Sequence, residues 1–131
     1  TLCIFTFATG AKCHSEAWWA QFYNALKDEF SDVNILEILP IENVSQINFQ
    51  STHFYSKDLR EIASLIEGSD VFIGADSGMM HLAASTNTRT IGLFNTTNPK
   101  VYTPYGNTNE SVDTNAVGVD EIIGIIKKQK T

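Results

Sequence analysis

The sequence predicts an α/β fold in which helices cover both faces of a parallel, Rossmann-like, doubly wound sheet. Short apolar runs alternate along the chain with longer segments whose apolar residues recur at helical spacing. Runs that are apolar throughout suit strands buried on both faces of a sheet. The chain has 131 residues, 43% hydrophobic and 18% charged, which is enough for one domain with a core. We therefore expect a single domain over residues 1–131, with five strands in the order 3-2-1-4-5.

Five apolar runs predict the strands. They cover residues 2–7, 33–39, 53–55, 71–74 and 89–94. The polar segment 100–115 contains proline, glycine and several asparagines without any period, so we expect no regular structure there.

The intervening segments predict helices with recognisable ends. Ser15, Ser56 and Asp120 are placed to cap the first, second and last helices, because a short side-chain oxygen accepts from the free N–H groups of a first turn. Gly68 is expected to end the second helix. The third helix follows Gly78.

Charge and composition narrow the classes of partner. The net charge is −6, and only nine Lys and Arg residues are spread along the chain, which argues against a nucleic acid or an anionic membrane as the main ligand. No apolar run approaches the roughly 20 residues that span a bilayer, and no signal peptide precedes the first strand. Cys3 and Cys13 lack metal-ligand spacing and are expected to be free thiols in a reducing compartment. His14 and His53 have no partner pattern and are expected in loops or on the surface.

The most informative stretch is a strand, a tight turn and a helix between residues 71 and 84. Asp76, Ser77 and Gly78 form the turn at the carboxyl end of the strand, where open α/β sheets bind ligands. A helix N-terminus there offers free N–H groups to an anion, and His81 returns to the same helical face one turn later. The pattern predicts a phosphate site. The alternative is that Asp76 and Ser77 only cap the helix while His81 packs in a polar pocket.

Two further loops follow strands at the same edge of the sheet. Lys12 lies in the loop after the first strand, and Thr96 lies in the loop after the fifth. We expect the ligand cleft beside Gly10, Gly78 and Thr96, although a solvated loop lysine is a sufficient explanation for Lys12.

The segments GADSGMMHLAA, TRTIGLFNTTNP and TPYG, in this order, resemble the carboxyl-terminal domain of glycosyltransferase family 9, the ADP-heptose:lipopolysaccharide heptosyltransferases. The D-S-G-x-x-H turn is the most specific part of the match. Met79 and Asn95 depart from the family pattern, where proline and glycine are usual, and Lys12 stands farther from Trp18 than the family spacing.

The resemblance implies one half of a GT-B glycosyltransferase that holds a nucleotide-diphosphate sugar. Ser77, Gly78 and His81 would contact the diphosphate, Asp76 would order the turn, and Lys12 would meet the phosphates. Glu42 is the nearest candidate for the family's nucleoside-binding acid.

The same resemblance carries expectations about the longer protein. The general base would lie in an amino-terminal acceptor domain, so the catalytic residue is unknown here and residues 1–131 would be part of a two-domain chain. No metal and no cofactor are expected. The location would be cytoplasmic, with peripheral contact to the inner membrane through the parent chain.

Two alternatives to a transferase remain. One is a non-catalytic nucleotide-binding or scaffold module of flavodoxin-like fold. The other is a receiver-like module with Asp76 as phospho-acceptor, which would need an acidic pair after the first strand, and residues 3–9 contain no acid.

Overall fold

The computed structural model describes residues 1–8, 13–75, 78–94, 110–115 and 117–128. The strands are Leu2–Phe5 (β1), Ile35–Ile38 (β2), Thr52–Phe54 (β3), Val71–Ala75 (β4), Arg89–Phe94 (β5) and Glu110–Asp113 (β6). The helices are Glu16–Glu29 (α1), Leu59–Glu67 (α2), Gly78–Ala84 (α3) and Val119–Lys128 (α4).

The strands form one parallel sheet in the order β3-β2-β1-β4-β5-β6. Leu2 at the start of β1 pairs with Ile35 of β2 on one side and with Val71 of β4 on the other. The predicted α/β class and the predicted order of the first five strands are therefore confirmed.

The sixth strand corrects the expectation that residues 100–115 lack regular structure. Glu110–Asp113 pairs with β5 in parallel, with Ile91 opposite Glu110. Only Val112 of this strand is buried, so the segment lacks the apolar run by which the other strands were recognised. The strand is instead held by its backbone pairing with β5 and by a 2.6 Å ion pair between Arg89 Nη2 and Glu110 Oε1.

Each face of the sheet carries its own core, because alternate strand residues point to opposite sides. On one face, Leu2 and Ile4 pack with the aromatic residues of α1 and the isoleucines of α4. On the other face, Cys3 and Phe5 pack with residues from α2 and α3. Helices thus cover both faces, as the sequence predicts.

Two of the predicted helix caps are wrong and one is confirmed. Ser15 caps α1, since its side chain accepts from Trp18 N at 3.1 Å. Asp58, and not Ser56, caps α2 by accepting from Arg60 N at 2.9 Å; Ser56 instead accepts from Asp58 N in the preceding turn. Asp120 lies inside the first turn of α4, which begins at Val119. Gly68 ends α2 as expected.

Within the described part of the chain, no helix is long and apolar enough to cross a membrane.

Candidate functional site

The carboxyl edge of the sheet contains a cleft where the ends of β1, β2 and β4 meet. Its volume is about 240 Å³. Its lining is mostly apolar, with Glu42 as the charged residue and Gly78 at the start of α3; the other lining residues are Phe5, Phe7, Ala8, Pro40, Ile41 and Met79. The structure therefore brings two of the predicted site residues, Glu42 and Gly78, onto one cleft, as expected for chain segments that follow parallel strands.

Gly78 leaves open space at this cleft. Apart from its chain neighbours and the backbone of its own helix, no atom of the described residues lies within 4 Å of the position that a Cβ would occupy on Gly78. A side chain at residue 78 would therefore stand in the opening beside the start of α3, and glycine keeps the backbone accessible.

His81 lies one turn after Gly78 and lines a second cleft of about 560 Å³. The other residues of this second cleft are Leu59, Gly78, Met79 and Leu82. Gly78 and Met79 line both clefts, so α3 forms the wall between them. The predicted sharing of one helical face by Gly78 and His81 is present in the structure.

Four predicted site residues, Lys12, Asp76, Ser77 and Thr96, lie outside the described residues. The described residues beside them, such as Ala8, Ala75 and Phe94, are at or just beyond the carboxyl ends of their strands.

A buried glutamate at this edge was missed by the sequence analysis. Glu37 in β2 is 0% exposed. Its Oε2 accepts from Thr6 Oγ1 at 2.8 Å and its Oε1 accepts from Ser45 Oγ at 2.7 Å. Burial raises the pKa of Glu37, against the opposing effects of the two hydroxyl donors and of nearby His53.

The segment that covers Glu37 is held by the same hydroxyl groups. Ser45 Oγ accepts from Ile47 N at 3.2 Å and from Phe49 N at 3.0 Å. Thr6 Oγ1 accepts from Gln46 N at 3.0 Å while it donates to Glu37. The backbone here is unusual, with positive φ at Asn43, Asn48 and Phe49. These polar contacts fix a segment without helix or strand.

Gln46 continues the network towards the other side of the edge. Its Nε2 donates to His14 O at 2.9 Å and to Cys13 Sγ at 3.3 Å. His14 Nε2 is 2.8 Å from Thr114 Oγ1, just beyond β6, and Thr114 N donates to Phe94 O at 2.8 Å. We call this set of contacts, from Glu37 through Thr6, Gln46 and His14 to Thr114, the edge network.

His14 was expected in a loop or on the surface; it lies outside the helices and strands, as expected for a loop residue, but it is not on the surface. It is 4% exposed and its ring lies 4.6 Å from that of Trp18. Burial lowers the pKa of His14 to about 4, so the imidazole is neutral near pH 7. His14 Nδ1 is buried and has no hydrogen-bond partner among the described residues. His53, in β3, is exposed as expected.

A third cleft, of about 450 Å³, lies away from this site, where β2 and β3 begin. It is formed by the end of α1 and the residues around Ile35 and Thr52. Because it opens at the amino edge of the sheet, it does not fit the ligand position that parallel strands favour.

Both cysteines are free thiols, as predicted; Cys3 is buried and Cys13 is half-buried. Among the residues that the structure describes, no group of three or more His, Cys, Asp or Glu side chains is arranged to hold a metal ion.

A known family resembles this chain in sequence, and solved structures resemble it in fold. The model of glycosyltransferase family 9 (heptosyltransferase) matches residues 47–118, which include Gly78 and His81. No curated protein sequence matches the chain.

Solved structures share the fold at low sequence identity. E. coli heptosyltransferase WaaC with ADP matches with a TM-score of 0.77 and 17% identity, over 97% of this chain and 43% of that one. E. coli ADP-heptose lps heptosyltransferase II matches with a TM-score of 0.73 and 14% identity, over 99% and 47%. The glycosyl transferase family 9 structure from Veillonella parvula gives 0.66 and 18%, over 98% and 39%. The chain spans less than half the length of these structures.

Proposed function

This chain belongs to glycosyltransferase family 9, the heptosyltransferases, and on that premise we propose that it binds a nucleotide-diphosphate sugar of the ADP-heptose type. The bound sugar would be transferred to a lipopolysaccharide or related glycan acceptor. The observation that carries the proposal is the cleft at the carboxyl edge, which joins Gly78 of the family's D-S-G-x-x-H turn to Glu42.

The chemistry of this edge suits a nucleoside diphosphate. A chain with a net charge of −6 must bind an anion through local donors and dipoles. Ser77, Gly78 and His81 would supply such donors on one short segment, and Lys12 and Thr96, which follow β1 and β5 in the sequence, would add to them. Asp76 would order the turn. The structural match to a heptosyltransferase with ADP supports this choice of ligand.

The nucleoside would lie against the apolar wall of the smaller cleft. Phe7, Pro40 and Ile41 offer flat, apolar surface, and the Glu42 carboxylate stands on the same cleft, where it can accept from ribose hydroxyls. This places the base and ribose on the β2 side of α3, with the diphosphate at its start.

The chain would act as the donor-binding half of a longer two-domain enzyme. Transfer requires a base that activates the acceptor hydroxyl and a partner surface that holds the acceptor near the anomeric carbon. Both would come from an amino-terminal domain, and the enzyme would work at the cytoplasmic face of the inner membrane, where it meets its glycan acceptor.

The binding proposal is tested by titrating the chain with ADP in a calorimeter. We expect His81→Ala to weaken ADP binding by roughly ten- to a hundredfold, because it removes a hydrogen bond to a charged phosphate. His53→Ala is the matched control, since it removes an exposed imidazole from β3 and should leave the affinity unchanged. Equal affinities for the wild type and His81→Ala would contradict the role of His81.

The proposal that catalysis also requires an amino-terminal domain has a separate test. Incubated with ADP-heptose and a lipopolysaccharide-core acceptor, residues 1–131 alone should release no ADP beyond a blank without enzyme. A longer protein that contains both domains should release ADP only when the acceptor is present. Acceptor-dependent release by residues 1–131 would mean that the base lies within this chain.

A further inference from the structure

We propose that Thr6 and Glu37 are positioning residues of the nucleotide site, which fix residues 45–46 and, through Gln46, the segment 13–15 that leads from the loop after β1 into α1. The effect on ligand binding rests on the proposed function. The positioning itself can be measured without any ligand.

The argument starts from the double role of the Thr6 hydroxyl. Thr6 is 0% exposed and directly follows β1 in the sequence. Its Oγ1 donates to Glu37 Oε2 at 2.8 Å and accepts from Gln46 N at 3.0 Å. A single side chain therefore links the ends of two strands to the covering segment, and no apolar residue of the same shape could do so.

Glu37 connects the Thr6 hydroxyl to a second hydroxyl, that of Ser45. Both of its carboxylate oxygens accept a hydroxyl, one from Thr6 and one from Ser45. A buried carboxyl is a poor means of stabilising a core, because well-packed apolar residues often do as well or better. The contribution of Glu37 is instead to geometry, because it holds the hydroxyl groups of Thr6 and Ser45 in fixed positions. Ser45 Oγ in turn accepts from two backbone N–H groups.

Gln46 transmits this geometry to the far side of the edge. Its backbone is held by Thr6, and its side chain donates to His14 O and Cys13 Sγ. These two residues directly follow Lys12, the proposed phosphate ligand, in the sequence. They also precede Ser15, which caps α1. Displacement of Gln46 would therefore shift the residues next to Lys12 in the chain.

The test compares two buried threonines at opposite edges of the sheet. Thr88 is 5% exposed and its hydroxyl donates to Ile66 O at 2.6 Å, next to the first residue of β5. Thr6→Val and Thr88→Val each remove one buried hydroxyl at constant shape, so each should lower stability. Only Thr6→Val should disturb the nucleotide site.

The first measurement is ¹⁵N relaxation of the backbone without ligand. In the wild type and in Thr88→Val, the order parameters of residues 13–15 should be about 0.85, and in Thr6→Val they should be lower. Thr6→Ser, which keeps the hydroxyl, should restore the wild-type values. Gln46→Leu changes a half-buried residue and removes the side-chain link to residues 13–15. It should therefore lower their order parameters even if Thr6→Val fails to fold.

The second measurement is the affinity for ADP by calorimetry. Thr6→Val and Gln46→Leu should each weaken binding by on the order of tenfold, with Thr88→Val unchanged. If the wild type binds no ADP, the proposed function fails, and loss of order in Thr6→Val still establishes the positioning role. If residues 13–15 keep their order in Thr6→Val and Gln46→Leu, the inference is overturned.

Discussion

His14 should make the stability of the fold depend on pH in a defined window. Its pKa falls from 6.5 to about 4 because the ring is buried. The unfolded chain therefore binds more protons than the folded chain between these values, so stability should be lost as pH falls from 6.5 towards 4. The full shift corresponds to about 3 kcal/mol, of which about 2 kcal/mol should be lost between pH 7 and pH 5.

Urea unfolding at a series of pH values between 7 and 4.5 measures this loss. The comparison is with His14→Gln, which removes the titrating ring, and the quantity of interest is the difference between the two pH profiles. That difference isolates His14 from Glu37 and from the other carboxylates. If His14→Gln loses stability with falling pH as steeply as the wild type, then the description of His14 as a buried, neutral imidazole is wrong.

Two further predictions concern packing and charge, each with an internal control measured by denaturant unfolding. Arg89→Met should destabilise the fold by roughly 3 kcal/mol, because the buried guanidinium forms an ion pair with Glu110 and donates to two helix carbonyls. Lys127→Ala breaks a surface ion pair and should change stability by less than about 1 kcal/mol. Gly92→Ala should cost about 1 to 3 kcal/mol, because the new Cβ would lie 2.6 Å from Met80 Sδ. Gly124→Ala should instead stabilise α4 by about 0.5 to 1 kcal/mol, because no side chain of the described residues lies within 4 Å of the new Cβ. Equal effects within either pair would contradict the packing described here.

The central part of the sheet was predictable because its strands are buried on both faces. Residues 71–74 are a continuous apolar run and residues 91–94 are apolar after Arg89 and Thr90, and the structure confirms both strands, the first with one more residue at its end. Edge strands give a weaker signal. In β3 only Phe54 is even half-buried, and β6 contains one buried residue, so the apolar pattern that marks a central strand is missing. The pairing partner, and not the local sequence, determines that 110–113 is a strand.

The candidate site was predictable where its residues are close in sequence. Gly78 and His81 are one turn apart, so their common face follows from helix geometry. The edge network was not predictable, because Glu37 meets Thr6 across 31 residues and His14 meets Thr114 across 100. The one available signal was a glutamate at residue 37 within an otherwise apolar strand. A charged residue in a strand expected to be buried on both faces requires a partner.

The two titratable groups of the edge network give the stability of the fold opposite dependences on pH. The raised pKa of Glu37 means that the folded chain holds this proton more tightly than the unfolded chain. Its contribution to stability therefore falls as pH rises from about 4.5 towards its folded pKa, while that of His14 rises over the window that ends at 6.5. Burial thus disfavours the cation at His14 and the anion at Glu37. The proposed diphosphate would be bound by Lys12 and by the donors at the start of α3. Positioning and anion binding would then be carried out by different residues along the same edge.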